Sequence, residues 1–166
     1  MLTAHELFGF MSQGLSRSII EFTAENDRDL YRATLASVAD AKKVRPVFLE
    51  RKSKADRHQD MAQMLSKPRL DVAAGTLLRG WLIKKNNAML VAFLESLGIE
   101  HKDGAVDDLP PEMDTEKLKT AITTLLEKFP HEEVAVYLNA FYSMNEVPWP
   151  NLKEILQTDE RLQLHG

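Results

Sequence analysis

The sequence contains no cysteine, and that absence excludes disulfides, thiol nucleophiles, cysteine-ligated zinc and iron–sulfur clusters. It fits a reducing compartment. Aromatic side chains are scarce, 7% of the residues, and in the basic stretch 42–69 Phe48 is the only one, which leaves little material there for base stacking. Long apolar runs are missing too. The longest, residues 88–94, has seven members, against the roughly 20 that a helix needs to cross a bilayer, so no membrane span is expected. Glu6 and Gln13 interrupt the first segment, which therefore lacks the unbroken apolar stretch of an export signal. The expected location is the cytoplasm.

What is present is an ordinary globular composition, 44% hydrophobic and 28% charged, far from that of disordered chains. At 166 residues one core can bury roughly 68–70% of the unfolded surface. These figures predict a single domain over residues 1–166. No stretch alternates apolar and polar residues as a half-buried strand would. The expected class is all-α, a bundle or array of about six to eight helices.

Thr3 and Glu6 spell a capping box, and Leu7, Met11, Leu15, Ile19 and Phe22 follow at steps of 4, 4, 4 and 3, the spacing of one helix face. One continuous helix is predicted to about residue 24. Asn26 is the expected cap of the next, with Lys42, Lys43 and Arg45 near its carboxyl end, where cations complement the helix dipole. Between residues 46 and 67 the apolar pattern thins to Phe48, Ala55, Ala62 and Leu65, which predicts one helix touching the core along a line. From Asp71, the residues Val72, Leu77, Leu78, Trp81, Leu82 and Ile83 predict the most buried helix. Gly75 and Gly80 within it point to a close helix neighbour.

Asn86 and Asn87 predict a break with a left-handed exit and a new N-cap, the alternative being a continuous helix. The Gly98-Ile99 pair matches a Schellman ending, and Asp103-Gly104 with Pro110-Pro111 predicts an acidic surface loop over residues 100–113. Asp114 is the expected cap of a helix carrying Leu118, Ile122, Leu125 and Leu126, and Pro130 the start of another carrying Val134, Tyr137, Leu138 and Phe141. Pro148 and Pro150 around Trp149 predict an extended hinge before a last helix at 151–157. Trp149 reads as a partner-facing anchor or as an arm pinned into its own core.

Charge is segregated along the chain. The basic middle, residues 42–85, carries 12 Lys and Arg against 4 Asp and Glu, whereas the acidic part, residues 86–166, carries 6 against 15. Arg51, Lys54 and His58 stand at steps of 3 and 4, which predicts a ridge on one helix face flanked by Lys52 and Arg57. Such a ridge would hold phosphates or carboxylates, or balance the chain's own acids.

Catalytic patterns are lacking. Gly75 and Gly80 have the spacing of a phosphate loop, but Trp81 and Leu82 stand where Lys and Ser or Thr are required. No Glu-x-x-His pair occurs, and His131-Glu132-Glu133 lacks the second histidine of a zinc helix. The acidic loop misses the alternating ligands of a calcium loop, and no Gly-x-Ser-x-Gly elbow is present. No catalytic residue, metal or cofactor is assigned.

The sequence therefore favours a non-catalytic helical module that binds another protein or a second copy of itself. Two alternatives remain. One is nucleic-acid or other polyanion binding by Arg51, Lys52, Lys54, Arg57, Lys84 and Lys85. The other is a small-ligand protein or enzyme whose polar pocket gathers Arg79, Lys84 or Lys85 and Asn87 beside Trp81.

Overall fold

The computed structural model describes residues 1–164; the last two positions of the predicted domain and of its acidic part lie outside the described residues. The class is all-α. Among the described residues there are ten α-helices and no strand, and no helix is long and apolar enough to cross a membrane. The packing divides into two compact units, one of Thr3–Trp81 and one of Leu82–Leu164 together with Met1–Leu2. Ten helices shared between two such units take the place of one bundle of six to eight, because serine caps interrupt two segments that periodicity alone reads as continuous.

In the first unit those interruptions fall at Ser12 and Ser53. Helices α1 (Ala4–Phe10) and α2 (Gln13–Asn26) are separated at an extended Met11, and the Ser12 side chain accepts from the Leu15 amide at 3.1 Å. Helix α4 (Pro46–Glu50) ends before Ser53, whose hydroxyl accepts from the Asp56 amide to start α5 (Lys54–Leu65). Each cap satisfies an amide that a helix start otherwise leaves orphaned. Asp27, rather than Asn26, caps α3 (Arg28–Ala41), accepting from the Leu30 amide at 3.2 Å. The capping pair at Thr3 forms as expected, with the Thr3 amide and hydroxyl both donating to Glu6 at 3.2 and 2.7 Å.

Helix α2 packs on α3 and α5, α1 on α5, and α3 on α4, over a core that includes Leu7, Ile19, Ile20, Val38, Met61 and Leu65. A 3-10 turn at Pro68–Leu70 leads into α6 (Asp71–Lys84). Gly80 has its expected neighbour, since a Cβ there would stand 3.4 Å from the Leu30 side chain of α3.

The second unit contains α7 (Asn87–Ser96), α8 (Thr115–Lys128), α9 (His131–Met144) and α10 (Pro150–Thr158), with a 3-10 turn at Glu160–Leu162. The break before α7 falls where expected, but Asn86 has φ −107° and does not supply a left-handed exit. The most buried helix is α9, where residues 134–141 are all buried. In α6, by contrast, Val72 is 83% exposed. Met1–Leu2 belongs to this unit: the Leu2 amide donates to Asn139, and Ser143 donates to the Leu2 carbonyl. The Schellman ending forms in full, with Gly98 at φ 70° and amides of Ile99 and Gly98 donating to Leu94 and Glu95 carbonyls.

In the acidic loop, Asp103 (φ 50°) and Gly104 (φ 88°) form a tight reversal closed by two 2.9 Å hydrogen bonds between Lys102 and Ala105. Asn87 donates from its amide to the Asp103 carbonyl. A Cβ on Gly104 would lie 2.9 Å from the Leu90 Cβ, too close without a shift of α7 or of the turn. Gly104→Ala is therefore expected to cost about 1–3 kcal/mol, read as a lower urea midpoint. An unchanged midpoint would show that the turn relaxes freely.

Candidate docking surface

The basic segment does not fold into one ridge. Arg51 closes α4, Lys54 opens α5, and His58 lies in α5 at only 2% exposure. Several of its cations already have partners within the same unit. Lys54 meets Glu21 at 2.5 Å, and this bond holds the Glu21 carboxyl below its usual range and pushes Lys54 up. Lys52 and Lys42 converge on Asp60, whose carboxyl is lowered first by the Lys52 hydrogen bond. The Arg57 Nε donates to the Tyr31 hydroxyl at 3.0 Å, and its Nη1 donates to the carbonyls of Glu50 and Lys52. Tyr31 in turn pairs with His58 Nε2 at 3.0 Å.

What stays outward is the corner between α3 and α4. Helix α3 ends with Lys43 at φ 57°, and the Val44 amide donates back to the Ala39 carbonyl at 3.0 Å. A left-handed lysine is strained. Pro46, at the start of α4, has its ring-fixed φ suited to that position. Leu49, 1% exposed, anchors α4, while every residue from 43 to 48 is exposed. Val44, Val47 and Phe48 are 38, 40 and 52% exposed. The Arg51 guanidinium covers one face of Phe48, 5.9 Å from the ring centroid.

The result is an apolar knob rimmed by Lys43, Arg45 and Arg51. Among the described residues no carboxylate stands within ion-pair distance of these three cations. Glu50 is the only acid between positions 41 and 55. Val44 and Val47 were not among the sequence candidates, and Phe48 is expected on a core-facing seam. Their shared signal is three large apolar residues within five positions of a strongly basic stretch.

Of the remaining candidates, Arg79, Lys84 and Lys85 are exposed, Trp81 is buried with its indole N–H unpartnered, and the Asn87 amide holds the Asp103 turn. Thr3, His5 and Asp71 do come together, but Thr3 (3.2 Å) and Asp71 (2.6 Å) both approach His5 Nδ1. A nucleophile–base–acid relay needs the two ring nitrogens separately. The cluster instead staples α1 to α6, and the His5 amide bond is the first cause of Asp71's lowered pKa.

A cavity of ≈ 410 Å³ lies beside α1, α2 and α5, with Arg17, Gln59 and Gln63 in its wall. Its hydroxyls serve helix ends: Ser12 caps α2, Ser16 donates to the Gln13 carbonyl, and Ser66 donates to Gln63. Tyr137 is buried without a hydrogen-bond partner, and burial pushes its pKa far up, so it stays a neutral phenol. No group of three or more metal-ligating side chains gathers among the described residues. Set against protein-family models, curated proteins and solved structures, the chain matches none of them.

Proposed function

We propose that this chain is a non-catalytic helical interaction module that docks an acidic, apolar protein surface on the corner formed by residues 43–51, in a cytoplasmic setting. The observation that carries the reading is the exposed trio Val44, Val47 and Phe48 inside a rim of Lys43, Arg45 and Arg51. Apolar anchors at the centre of a patch, with charge around them, concentrate binding energy and steer the approach of an oppositely charged partner. A polyanion would use the same cations but would gain little from the two valines.

Peptide display against the immobilised chain tests this reading. Selected sequences should combine Asp or Glu with large apolar residues, bind more weakly as salt rises, and lose about tenfold or more in affinity on Phe48→Asp. Phe48 is half exposed, so that change leaves the core intact. A selection yielding no binders, or binders indifferent to Phe48→Asp, would overturn the proposal. So would a preference for labelled RNA with a steep salt slope that survives Phe48→Asp, which would assign the corner to polyanions.

A further inference from the structure

The second unit carries a surface with the complementary character. A groove of ≈ 490 Å³ is lined by Leu97, Ile99, Pro110 and Met113, with Glu100, Asp108, Glu112 and Asp114 also in its wall and Lys117 as its one cation. Its apolar part comes from Leu97 and Ile99 at the Schellman ending of α7 and from Pro110 and Met113 of the acidic loop. The loop residues are tied down by hydrogen bonds from within the unit. The Trp149 indole donates to the Pro110 carbonyl at 2.8 Å, and the Asn151 amide donates to the Met113 carbonyl at 2.7 Å. Leu97 and Ile99 are buried, Pro110 and Met113 half-buried, and Glu100, Asp108 and Glu112 exposed. A groove held in this way is formed before anything enters it, which lowers the ordering cost of binding.

We infer that the occupant of this groove is the residue 43–51 corner of a second copy of the chain. This rests on the docking reading above and names its partner. Phe48 and Val47 supply the apolar wedge, and Lys43, Arg45 and Arg51 meet Glu100, Asp108 and Glu112 around it. The charge segregation of the sequence, basic over 42–85 and acidic over 86–166, then places the two halves of one interface on every molecule. Donor and acceptor surfaces differ, so the contact is heterologous: it closes if two copies can exchange corners and otherwise continues from copy to copy. Its electrostatic part weakens as the Debye length shrinks.

Sedimentation velocity on the full chain, over a concentration series at roughly 0.05 M and 1 M salt, provides the test. The wild type should exceed the 18.9 kDa monomer mass at low salt and return to it at high salt. The pair Arg45→Glu with Arg51→Glu should remain monomeric, as should Asp108→Lys with Glu112→Lys. An equimolar mixture of these two variants should associate again, because the intact corner of one variant then meets the intact groove of the other and the two reversed surfaces are again opposite in charge. Circular dichroism is the check that both variants are folded, as expected because all four positions are exposed.

A wild type that stays monomeric at low salt overturns the inference, as does association that persists unchanged at 1 M salt. Retained association in either variant, or failure of the folded mixture to associate, also overturns it. If a monomeric wild type still selects acidic peptides that depend on Phe48, the docking reading stands and only the identity of the partner falls.

Discussion

Trp149→Ala is expected to remove about 3–5 kcal/mol of stability, the usual range for truncating a large buried aromatic. The indole is 1% exposed and lies against Phe141 with ring centroids 5.9 Å apart; Phe141 in turn meets Phe93 edge-on at 5.5 Å. Truncation therefore opens a void at the end of an aromatic row. It also removes the donor to the Pro110 carbonyl, the link that holds the acidic loop against α10's approach. Trp149→Phe separates the two losses. It keeps most of the packing and should cost about 1–3 kcal/mol, mainly for the acceptor left unsatisfied. Urea unfolding followed by circular dichroism reads both variants. A loss below about 1 kcal/mol for Trp149→Ala would mean that the indole adds little to the core. The choice left open by the sequence, partner anchor or internal pin, is thus resolved in favour of the pin.

That tryptophan shows what a sequence conveys and what it withholds. Local chemistry was readable: Asp114 accepts from the Lys117 amide as a cap should, Gly98 ends α7, and α9 begins just after Pro130. Each of these depends on residues within a few positions of one another. Continuity was not readable. Leu7, Met11 and Leu15 keep a perfect four-residue step across the break at Ser12, and all three are buried. The step records which residues meet the core, and two short helices can present the same residues as one long helix.

Pairing across distance was equally hidden. Lys54 and Glu21 are 33 positions apart, and nothing local marks Asp60 as the acid that gathers Lys42 and Lys52. Summed charge located the basic segment correctly but could not say which of its cations are engaged within the fold. For the same reason Phe48 reads as a core residue. Its hydrophobicity is a property of the side chain, whereas its exposure is set by the tertiary fold, which leaves all of residues 43–48 at the surface.

His58 is where such hidden pairing has a measurable consequence. Its ring is buried between α3 and α5, edge-on to Tyr31 with centroids 5.7 Å apart. Burial pushes its pKa below the usual 6.5, and the cations Arg57 and Lys54 on its own helix, with Arg17 on α2, push the same way; Glu21 opposes them. The neutral ring can accept the Tyr31 proton at Nε2, while Arg57 donates to the same hydroxyl oxygen. Protonation would make Nε2 a second donor facing that oxygen and would add a charge beside the three cations Arg57, Lys54 and Arg17.

The direction of the pH effect follows from these contacts. The unfolded chain takes up a proton near pH 6.5, and the folded chain takes it up only at lower pH. The stability at stake is therefore fully present above about 6.5 and is lost as pH falls from there through the folded pKa, at up to about 1.4 kcal/mol per pH unit within that window. The lowered carboxyls of Asp60, Asp71 and Glu21 lose their own contributions in the more acidic range of carboxylate titration, so the two effects separate. His58→Gln, which can still accept from Tyr31, should flatten the difference in stability between pH 7.5 and pH 5. His58→Ala should cost about 2–4 kcal/mol at pH 7.5 through the void and the lost hydrogen bond. Equal pH slopes for wild type and His58→Gln would show that this imidazole is charged as readily inside the fold as outside it, the opposite of what its burial beside Arg57, Lys54 and Arg17 predicts.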